Sequence, residues 1–529
     1  MQSETVKPHK FSEHFSSTSF MALRIFLTSL NRSMNLTKNT ILIIRSYSTT
    51  RHDSSRRNLF SRISPLGDPS LSVAPVLDQW VEEGNKVKEL EFQRIVRDLR
   101  ARRRYKQALE VSEWVSRTKL CSFSPGDQAV QLDLIGRVRG LDSAESYVKN
   151  LSDEDKIDKI YGALLNCYVR EGLVDKSLSH MRKMKEMGFA CIPLAYNNIM
   201  CLYTNNGQPE KVPIVLSEMK KDGISPDNFS YGIIIDSYGK RSDLKGMEEV
   251  LKEMESLPHI SVGWNTYAMV ANYYIKADIR EKALIYMKKC EEKVNKNALG
   301  YNHLISLYAH IGNKDEMMRL WSLEKSKCKK QVNRDYITML GSLVKLGEFE
   351  ETEKLLKEWE SSCYCYDFRV PNVLLIGYCQ KGLMEKAKAV LQDMVKKGKT
   401  PIPNSWAILA AGYVDNQNME KAFECIKEAL AVREENKGWR PKARVISSVL
   451  SWLSDRGDIE EVEAFLNSLK TVIPMDREMY HALIRAYIRG GKDVDGILEK
   501  MKADEIEENE ETETILSSRQ KKSKMADGY

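Results

Sequence analysis

The sequence has no long run of apolar residues. Near the N-terminus the longest purely aliphatic stretch is Ile41 to Ile44, whereas a helix needs roughly 18 apolar residues to cross a bilayer. No membrane insertion is therefore expected.

Motifs that carry chemistry are also missing. The ten cysteines form no CxxC and no group with histidine at metal-ligand spacing, and Cys363 and Cys365 are the one close pair. They are interpreted as buried thiols in a reducing compartment. There is no GxxxxGK[ST], GxSxG or HExxH, and no HxE that accompanies a CxxC. The sequence thus predicts no enzymatic activity, no cofactor and no metal.

Charge of one sign is present in only slight excess. The net charge is +7 for 529 residues, of which 42% are hydrophobic and 29% charged. This composition suits a folded chain and does not by itself indicate a nucleic-acid surface. At this length either several domains or one repeat array is expected.

Acidic residues are absent from His14 to His52, where arginine, lysine, serine and threonine are frequent. This composition is typical of an organellar transit peptide. The run Arg45 to Ser48 resembles a mitochondrial processing site and predicts a cut near Tyr47. Mitochondria are therefore favoured and plastids are the alternative; a merely disordered basic tail also stays open. Residues 1–70 are assigned to this leader and a disordered segment.

Aromatic residues recur with a period of about 35. One ladder and a second ladder seven residues behind it lie on one face of a helix, because seven residues make two turns. Glycines four residues past the second ladder permit a helix C-cap. The first ladder is Tyr161, Tyr196, Tyr231, Tyr267, Tyr301, Tyr336, Trp406 and Tyr480, and the second is Tyr168, Tyr203, Tyr238, Tyr274, Tyr308, Tyr378, Tyr413 and Tyr487.

The ladders predict an all-α, right-handed α-solenoid superhelix of tandem helix-turn-helix units. Residues 158–505 hold ten units, which begin near 158, 193, 228, 264, 298, 333, 368, 403, 443 and 477. Residues 71–157 hold two degenerate units, near 89 and 125, and residues 506–529 are predicted to form a charged disordered tail. Most ladder side chains are expected to be packing residues.

The unit Leu194 to Met200, with Gly207, Met219, Gly223, Pro226 and Asp227, closely resembles the pentatricopeptide repeat. Tyr301-Asn302 with Gly312, and the segment from Gly382 to Pro401, look similar. Units of near-constant length resemble the plain class of this plant organellar family. The resemblance implies an RNA-binding solenoid, acting as a monomer, in which first helices line a groove and each unit meets one base of single-stranded RNA.

In the family two side chains per unit read the base, namely the residue after the first-ladder tyrosine and the last residue of the unit. The matching pair is Asn197 with Asp227, a combination that the family associates with uridine. Ser447 with Asp476 loosely resembles a purine-reading pair. Asn302 and Asn372 are candidates whose expected partners, Val332 and Ile402, offer no hydrogen bond. An alternative for Asn197 and Asp227 is helix capping and turn formation.

A basic cluster precedes the first clear unit. Phosphate contact is one interpretation and a solvated helix face is the other. The candidate phosphate-contacting residues are Arg100, Arg102, Arg103 and Arg104.

Two functions remain open. The first is binding of organellar single-stranded RNA in transcript stabilisation, processing or translation. The alternative is a structural subunit of the mitochondrial ribosome or of another ribonucleoprotein, held by protein contacts as well as RNA.

Overall fold

A computed structural model describes residues 58–66, 71–363, 365–432 and 439–517. Regular structure in these ranges is helical throughout, and none of their helices has the length and apolar character to cross a membrane. The chain divides into an N-terminal unit, Met1–Cys290, and a C-terminal unit, Glu291–Tyr529.

The N-terminal unit begins with two short helices, followed by pairs of a first helix (odd number) and a second helix (even number). A 3-10 turn at Pro209–Lys211 precedes α10, and α14 runs across the boundary between the units. In chain order the helices are α1 Leu59–Ile63, α2 Ala74–Glu82, α3 Glu89–Ala101, α4 Tyr105–Thr118, α5 Pro125–Val138, α6 Leu141–Lys149, α7 Asp158–Arg170, α8 Val174–Glu186, α9 Pro193–Asn205, α10 Val212–Lys221, α11 Asn228–Lys240, α12 Leu244–Ser256, α13 Trp264–Lys276 and α14 Arg280–Lys293.

The C-terminal unit continues the alternation of first and second helices and ends with a single helix. Its helices are α15 Ala298–His310, α16 Lys314–Lys327, α17 Asn333–Leu346, α18 Phe349–Ser362, α19 Pro371–Gln380, α20 Met384–Lys396, α21 Pro403–Asp415, α22 Met419–Ala431, α23 Ala443–Arg456, α24 Ile459–Lys470, α25 Arg477–Arg489, α26 Asp495–Ala503 and α27 at 510–517.

First helices begin at the residues that the ladders predicted, except that α19 begins at Pro371 rather than near 368. The chain turns after every first helix except α23 on a residue with positive φ. Gly172, Gly207 and Gly312 take this conformation as predicted, with φ of 71°, 70° and 79°. Repeats without glycine there take it on other residues, as at Ser242, Asp278 and Gln417 with φ of 59°, 56° and 57°. Glycine therefore lowers the strain of this turn but is not required for it.

The ladder tyrosines pack as predicted, and their hydroxyl groups also connect neighbouring repeats. Tyr231, 1% exposed, donates its hydroxyl to Glu253 at 2.8 Å. Lys220 of the preceding repeat contacts the same carboxylate at 2.7 Å. Tyr196 donates to Asp222 at 2.5 Å, and Lys185 binds that carboxylate in turn. These two repeats thus join their preceding neighbours through a carboxylate that a buried tyrosine and a lysine of the preceding repeat share.

The N-terminal assignment needs one correction. Residues 1–70 were excluded from the fold, but helix α1 lies within that range. Leu59 and Ile63 are fully buried in the core that the first repeats share. Asn58 caps the helix by accepting from the N–H of Ser61 at 2.9 Å. Leu59 and Ile63, spaced i and i+4, are a short apolar signal that is easily overlooked next to the basic leader.

The C-terminal assignment also needs correction, because residues 506–517 are not a disordered tail. Helix α27 buries Ile515 against the last repeat. Thr512 is fully buried, and its hydroxyl forms a hydrogen bond with His481 Nε2 at 2.8 Å. The acidic residues lie on the exposed side, which concealed the short apolar stripe. Residues 518–529 lie outside the described ranges.

Candidate nucleic-acid interface

The candidate base-reading residues lie where consecutive first helices pack on each other. Such packing recurs in the N-terminal unit, as between α9 and α11, and in the C-terminal unit, as between α15 and α17. The fifth residue of one first helix meets the N-cap and the third residue, N3, of the next. N-cap and N3 side chains satisfy free N–H groups of the first turn. We call these three residues an interrepeat polar site.

The interrepeat polar site of Asn197 joins the two side chains that the sequence pairs. Asn197 is 1% exposed and donates from Nδ2 to Asp227 Oδ1 at 3.2 Å. Its Oδ1 accepts from Ser230 Oγ at 2.7 Å. Asp227 also caps α11 by accepting from the N–H of Ser230 at 2.8 Å. The capping interpretation is therefore correct for Asp227. The residue is half-buried, and its second carboxylate oxygen, Oδ2, accepts no hydrogen bond from the described residues.

The site of Asn302 replaces the missing partner with a residue three positions further on. Val332 is the N-cap and cannot bond to Asn302. Asp335, at N3 and 1% exposed, accepts from Asn302 Nδ2 at 2.6 Å and from the N–H of Val332 at 2.9 Å. Asn302 Oδ1 is buried without a hydrogen-bond partner in the described structure. The acid that sequence reasoning sought at the end of the unit stands inside the next helix.

The site of Asn372 has no acid at either position. Ile402 is the N-cap and Ser405 is N3. Both Asn372 side-chain atoms and Ser405 Oγ are buried, and none has a hydrogen-bond partner among the described residues. Neither the NH2 group nor the oxygen of the Asn372 amide is therefore satisfied by the described residues.

The structure does not join Ser447 to Asp476 by a hydrogen bond. Ser447 donates its hydroxyl to Glu478 in the first turn of α25. Asp476 is exposed and caps that helix by accepting from the N–H of Met479 at 2.9 Å. The predicted purine-reading pair is thus a serine-glutamate pair beside a capping aspartate.

One interrepeat polar site was missed in the sequence. Gln93, the fifth residue of α3, donates to Asp127 Oδ2 at 3.2 Å. Asp127 is the N3 residue of α5 and completes a capping box with Ser124. The Ser-x-x-Asp spacing before an apolar helix was the available signal, and it holds for a degenerate repeat without a ladder tyrosine.

Arg100 belongs to a charged cluster built from three consecutive first helices. Asp133 of α5 is 4% exposed and lies between the guanidinium groups of Arg100 at 3.0 Å, Arg137 at 3.0 Å and Arg170 at 2.9 Å. Asn166 adds a hydrogen bond at 3.3 Å. Burial would raise the pKa of Asp133, but the three arginines outweigh it and hold that pKa below its ordinary value. We call this group the Asp133 cluster. Arg170 also pairs with Glu171 at 3.3 Å, so three cations face two anions and one positive charge is left over.

The other three predicted arginines are adjacent in sequence but differ in their surroundings. Arg102 and Arg103 are exposed, and Arg103 sits in the turn after α3 with φ 61°. Arg104 instead donates to the backbone carbonyls of Ser64 at 3.0 Å and Ile63 at 3.2 Å, at the end of α1. Burial lowers the pKa of Arg104 from its usual value. Arg104 therefore serves the fold, and the candidate phosphate contacts reduce to the other three.

Basic side chains also end several other first helices. Such residues suit the negative end of the helix dipole, so their position has a structural explanation as well. Among the described residues, no group of three or more histidine, cysteine, aspartate or glutamate side chains is arranged to hold a metal ion. The basic residues in the last turns are Arg137, Arg170, Lys240, Lys276, His310, Lys345, Arg456 and Arg489.

Two family models match the chain. The first, described as the PPR repeat family, covers residues 194–240. The second, described as a PPR repeat, matches residues 159–189, 229–258, 300–323, 335–364 and 370–398.

Similar proteins cover most of the chain. A mitochondrial pentatricopeptide repeat-containing protein of Arabidopsis thaliana is 50% identical over 90% of this chain and 97% of its own length. The large ribosomal subunit protein mL101 of the same organism is 30% identical over 87% of this chain and 94% of its own. The crystal structure of the maize repeat protein PPR10 aligns at 19% identity and a TM-score of 0.41, over 84% of this chain and 67% of that one. From the match to the mitochondrial Arabidopsis protein, the chain belongs to the pentatricopeptide repeat family.

Proposed function

We propose that the chain binds single-stranded RNA in mitochondria and acts in the stabilisation, processing or translation of a transcript. The observation that carries the proposal is the placement of interrepeat polar sites and surplus arginines on first helices. Amide and carboxylate groups suit the Watson–Crick edges of unstacked bases, and guanidinium groups suit phosphates.

The residues in this proposal have distinct roles. Asn197, Asn302 and Asn372 are the amides that face a base, and Asp227 supplies the acceptor Oδ2 beside Asn197. Ser447 and Asp476 stay as candidates for one further base. Arg100, Arg102 and Arg103 contact phosphates.

Binding titrations of the full-length chain against short RNAs, at two salt concentrations, test this function. Asp227→Asn keeps a cap for α11, because asparagine is as good an N-cap as aspartate. It exchanges an acceptor for a donor, and we expect preference at one position to move from uridine toward cytidine by roughly 5- to 100-fold, on the scale of direct base contacts.

The phosphate contacts have a charge-matched control. Arg102→Gln with Arg103→Gln should weaken binding to all sequences and flatten the salt dependence. Lys245→Gln with Lys252→Gln removes the same charge from exposed positions of the second helix α12 and should change binding less. Equal affinity of the wild-type chain for every RNA, with Asp227→Asn silent, would contradict base reading.

The location has its own test. The mitochondrial relative and the acid-free leader support import, and the predicted cut near Tyr47 lies outside the described residues. N-terminal sequencing of the organellar protein should show a start just after it, and a mature form that retains Met21 would contradict import by cleavage. Crosslinking of the tagged protein in its organelle, followed by RNA sequencing, would identify the transcript.

A ribosomal role is the second candidate. The relative mL101 supports it, and so do repeats whose fifth residue offers no side-chain hydrogen bond, as at Gly162, Gly232 and Ala407. A ribosomal subunit should sediment with ribosomal particles in EDTA and high salt. A transcript-binding protein should elute free from them.

A further inference from the structure

The interrepeat polar sites of Asn197 and Asn302 contain the same amide in opposite hydrogen-bonding states. The orientation of each amide is fixed by its carboxylate partner, since an ionised carboxylate only accepts and so must face the NH2 group. In the first site Ser230 Oγ also donates to the carbonyl oxygen of Asn197 at 2.7 Å. In the second, Asn302 Oδ1 has no donor in the described structure.

The difference comes from the N3 residue. Serine at 230 carries a hydroxyl that donates to the amide oxygen, while aspartate at 335 can only accept. Asp335 Oδ1 accepts from Asn302 Nδ2 at 2.6 Å, and Arg334 contacts the same oxygen at 3.3 Å. Asp335 Oδ2 accepts from the N–H of Val332 at 2.9 Å. The carboxylate is therefore fully engaged and holds the amide with its oxygen unused.

We propose that Asp335 determines the base preference of the Asn302 repeat, which takes adenine or cytosine, the bases with an amino group at the 6- or 4-position, where guanine and uracil carry an oxygen. A buried carbonyl oxygen without a donor is unfavourable, so a group that donates to it is preferred. An amino group donates to Asn302 Oδ1. At the same place the 4-oxo group of uracil or the 6-oxo group of guanine would instead meet the amide oxygen beside a carboxylate and be repelled. Asn302 is 4% exposed, so the base must open the contact between α15 and α17.

This inference rests on the proposed RNA binding and differs from the family pattern in one respect. The family pattern assigns the second reading position to Val332, the last residue of the unit. Here the N-cap side chain of that repeat has no polar atom, and the function passes to N3. Asp335 is a positioning residue, because it acts on the base through Asn302.

The test is selection from a random RNA pool by the full-length chain and its variants. Wild type should enrich adenine or cytosine at one position that Asp335→Asn alters. An asparagine at 335 keeps an acceptor for the Val332 N–H and can donate to Asn302 Oδ1, which turns the Asn302 N–H outward. Preference there should move toward uracil or guanine by roughly 5- to 100-fold, on the scale of direct base contacts. Val332→Ile, which adds no polar atom at the N-cap, is the matched control and should leave the preference unchanged.

A second variant guards against misfolding. Asp335→Ser introduces the residue that already stands at the equivalent positions 230 and 405, so the fold accommodates it. Without the carboxylate nothing fixes the orientation of the Asn302 amide, as at Asn372 beside Ser405, where neither amide atom is bonded among the described residues, so the preference for adenine or cytosine should disappear. Unchanged selection by both Asp335 variants, or a shift caused by Val332→Ile instead, overturns the inference while RNA binding stands. Failure of the wild-type chain to enrich any RNA overturns the proposed function and this inference with it.

Discussion

Asp133 in the N-terminal unit and Glu324 in the C-terminal unit are both buried acids, yet their surroundings are opposite. Asp133 is bonded by three arginines and an asparagine. Glu324 on α16 is fully buried, and neither of its oxygens has a hydrogen-bond partner in the described structure. Burial, and secondarily the nearby Asp335, raises the pKa of Glu324 to about 8, whereas that of Asp133 is held low. Partners rather than burial thus decide whether an interior acid is charged.

The largest effect is expected when Asp133 is removed. Asp133→Ala leaves three neighbouring guanidinium groups without their anion, and we expect a loss of about 3 kcal/mol in the free energy of unfolding. Because the pKa of Asp133 is lower when folded, its contribution is complete above the unfolded value of about 4 and is lost as pH falls through the folded value. Urea unfolding of the full-length chain at neutral and acid pH measures both effects.

A matched control for this prediction is Asp153→Ala. That aspartate is 97% exposed and pairs with Lys156, so its removal should destabilise the fold far less than the removal of Asp133. Equal losses from the two variants would mean that the Asp133 cluster contributes no more than a surface ion pair.

Glu324→Gln should increase the free energy of unfolding, whereas Asp133→Ala lowers it. Between an unfolded pKa of about 4.3 and the folded value of about 8, the folded protein keeps a proton that the unfolded chain releases. Wild-type stability therefore falls as pH rises through this range. The variant should match wild type near pH 5 and exceed it at pH 8 by about 2 kcal/mol, the scale of an unsatisfied buried polar group. Thermal unfolding at both pH values measures this, and a difference that does not change with pH would contradict it.

The sequence predicted the repeat fold well because the core requires it at every repeat. Each first helix must bury its large side chains against the next, so the ladders located the first-helix starts from Asp158 to Arg477, apart from the later start of α19 at Pro371. The predictions for the two ends were wrong because they rested on the same repeat pattern, which is absent there. Helices α1 and α27 occur once, next to charged segments, and their few buried residues, such as Leu59 and Ile515, set no period.

The candidate sites were only partly predictable. Asn197 and Asp227 came together because the chain follows the family spacing there. Asp335 was missed because the family pattern looks only at the N-cap position. In a capping box the acid can stand at N3 instead, and at Asn302 it is the N3 acid that bonds to the amide. Arg104 was misassigned because its carbonyl partners at Ser64 and Ile63 lie in a segment that had been excluded as leader.

A smaller effect concerns the surplus charge of the Asp133 cluster. Arg137→Gln leaves Asp133 paired with Arg100 and Arg170, so the fold should persist. If the spare cation contacts a phosphate, the slope of log affinity against log salt should become shallower by about 0.7, the value for one contact on a single strand. Binding titrations across salt concentrations measure the slope, with Lys245→Gln as the control. An unchanged slope would make the cluster purely structural.

The smallest effect is expected for a buried pair without net charge, His481 and Thr512 between α25 and α27. Their side chains are 4% and 0% exposed, and His481 Nε2 lies 2.8 Å from the Thr512 hydroxyl. Like Asp133, these buried groups have hydrogen-bond partners, but the bond between them is not an ion pair. Thr512→Val keeps the shape and removes a hydroxyl that also bonds to Asn509 at the start of α27. The net loss of a neutral hydrogen bond costs about 1 kcal/mol. Hydrogen exchange of the α27 amides should quicken by roughly fivefold, the equivalent of that energy, while those of α15 stay unchanged. If exchange quickened equally in both helices, α27 would be part of one cooperative unit with the C-terminal repeats, and its pairing with His481 would not be a local contact.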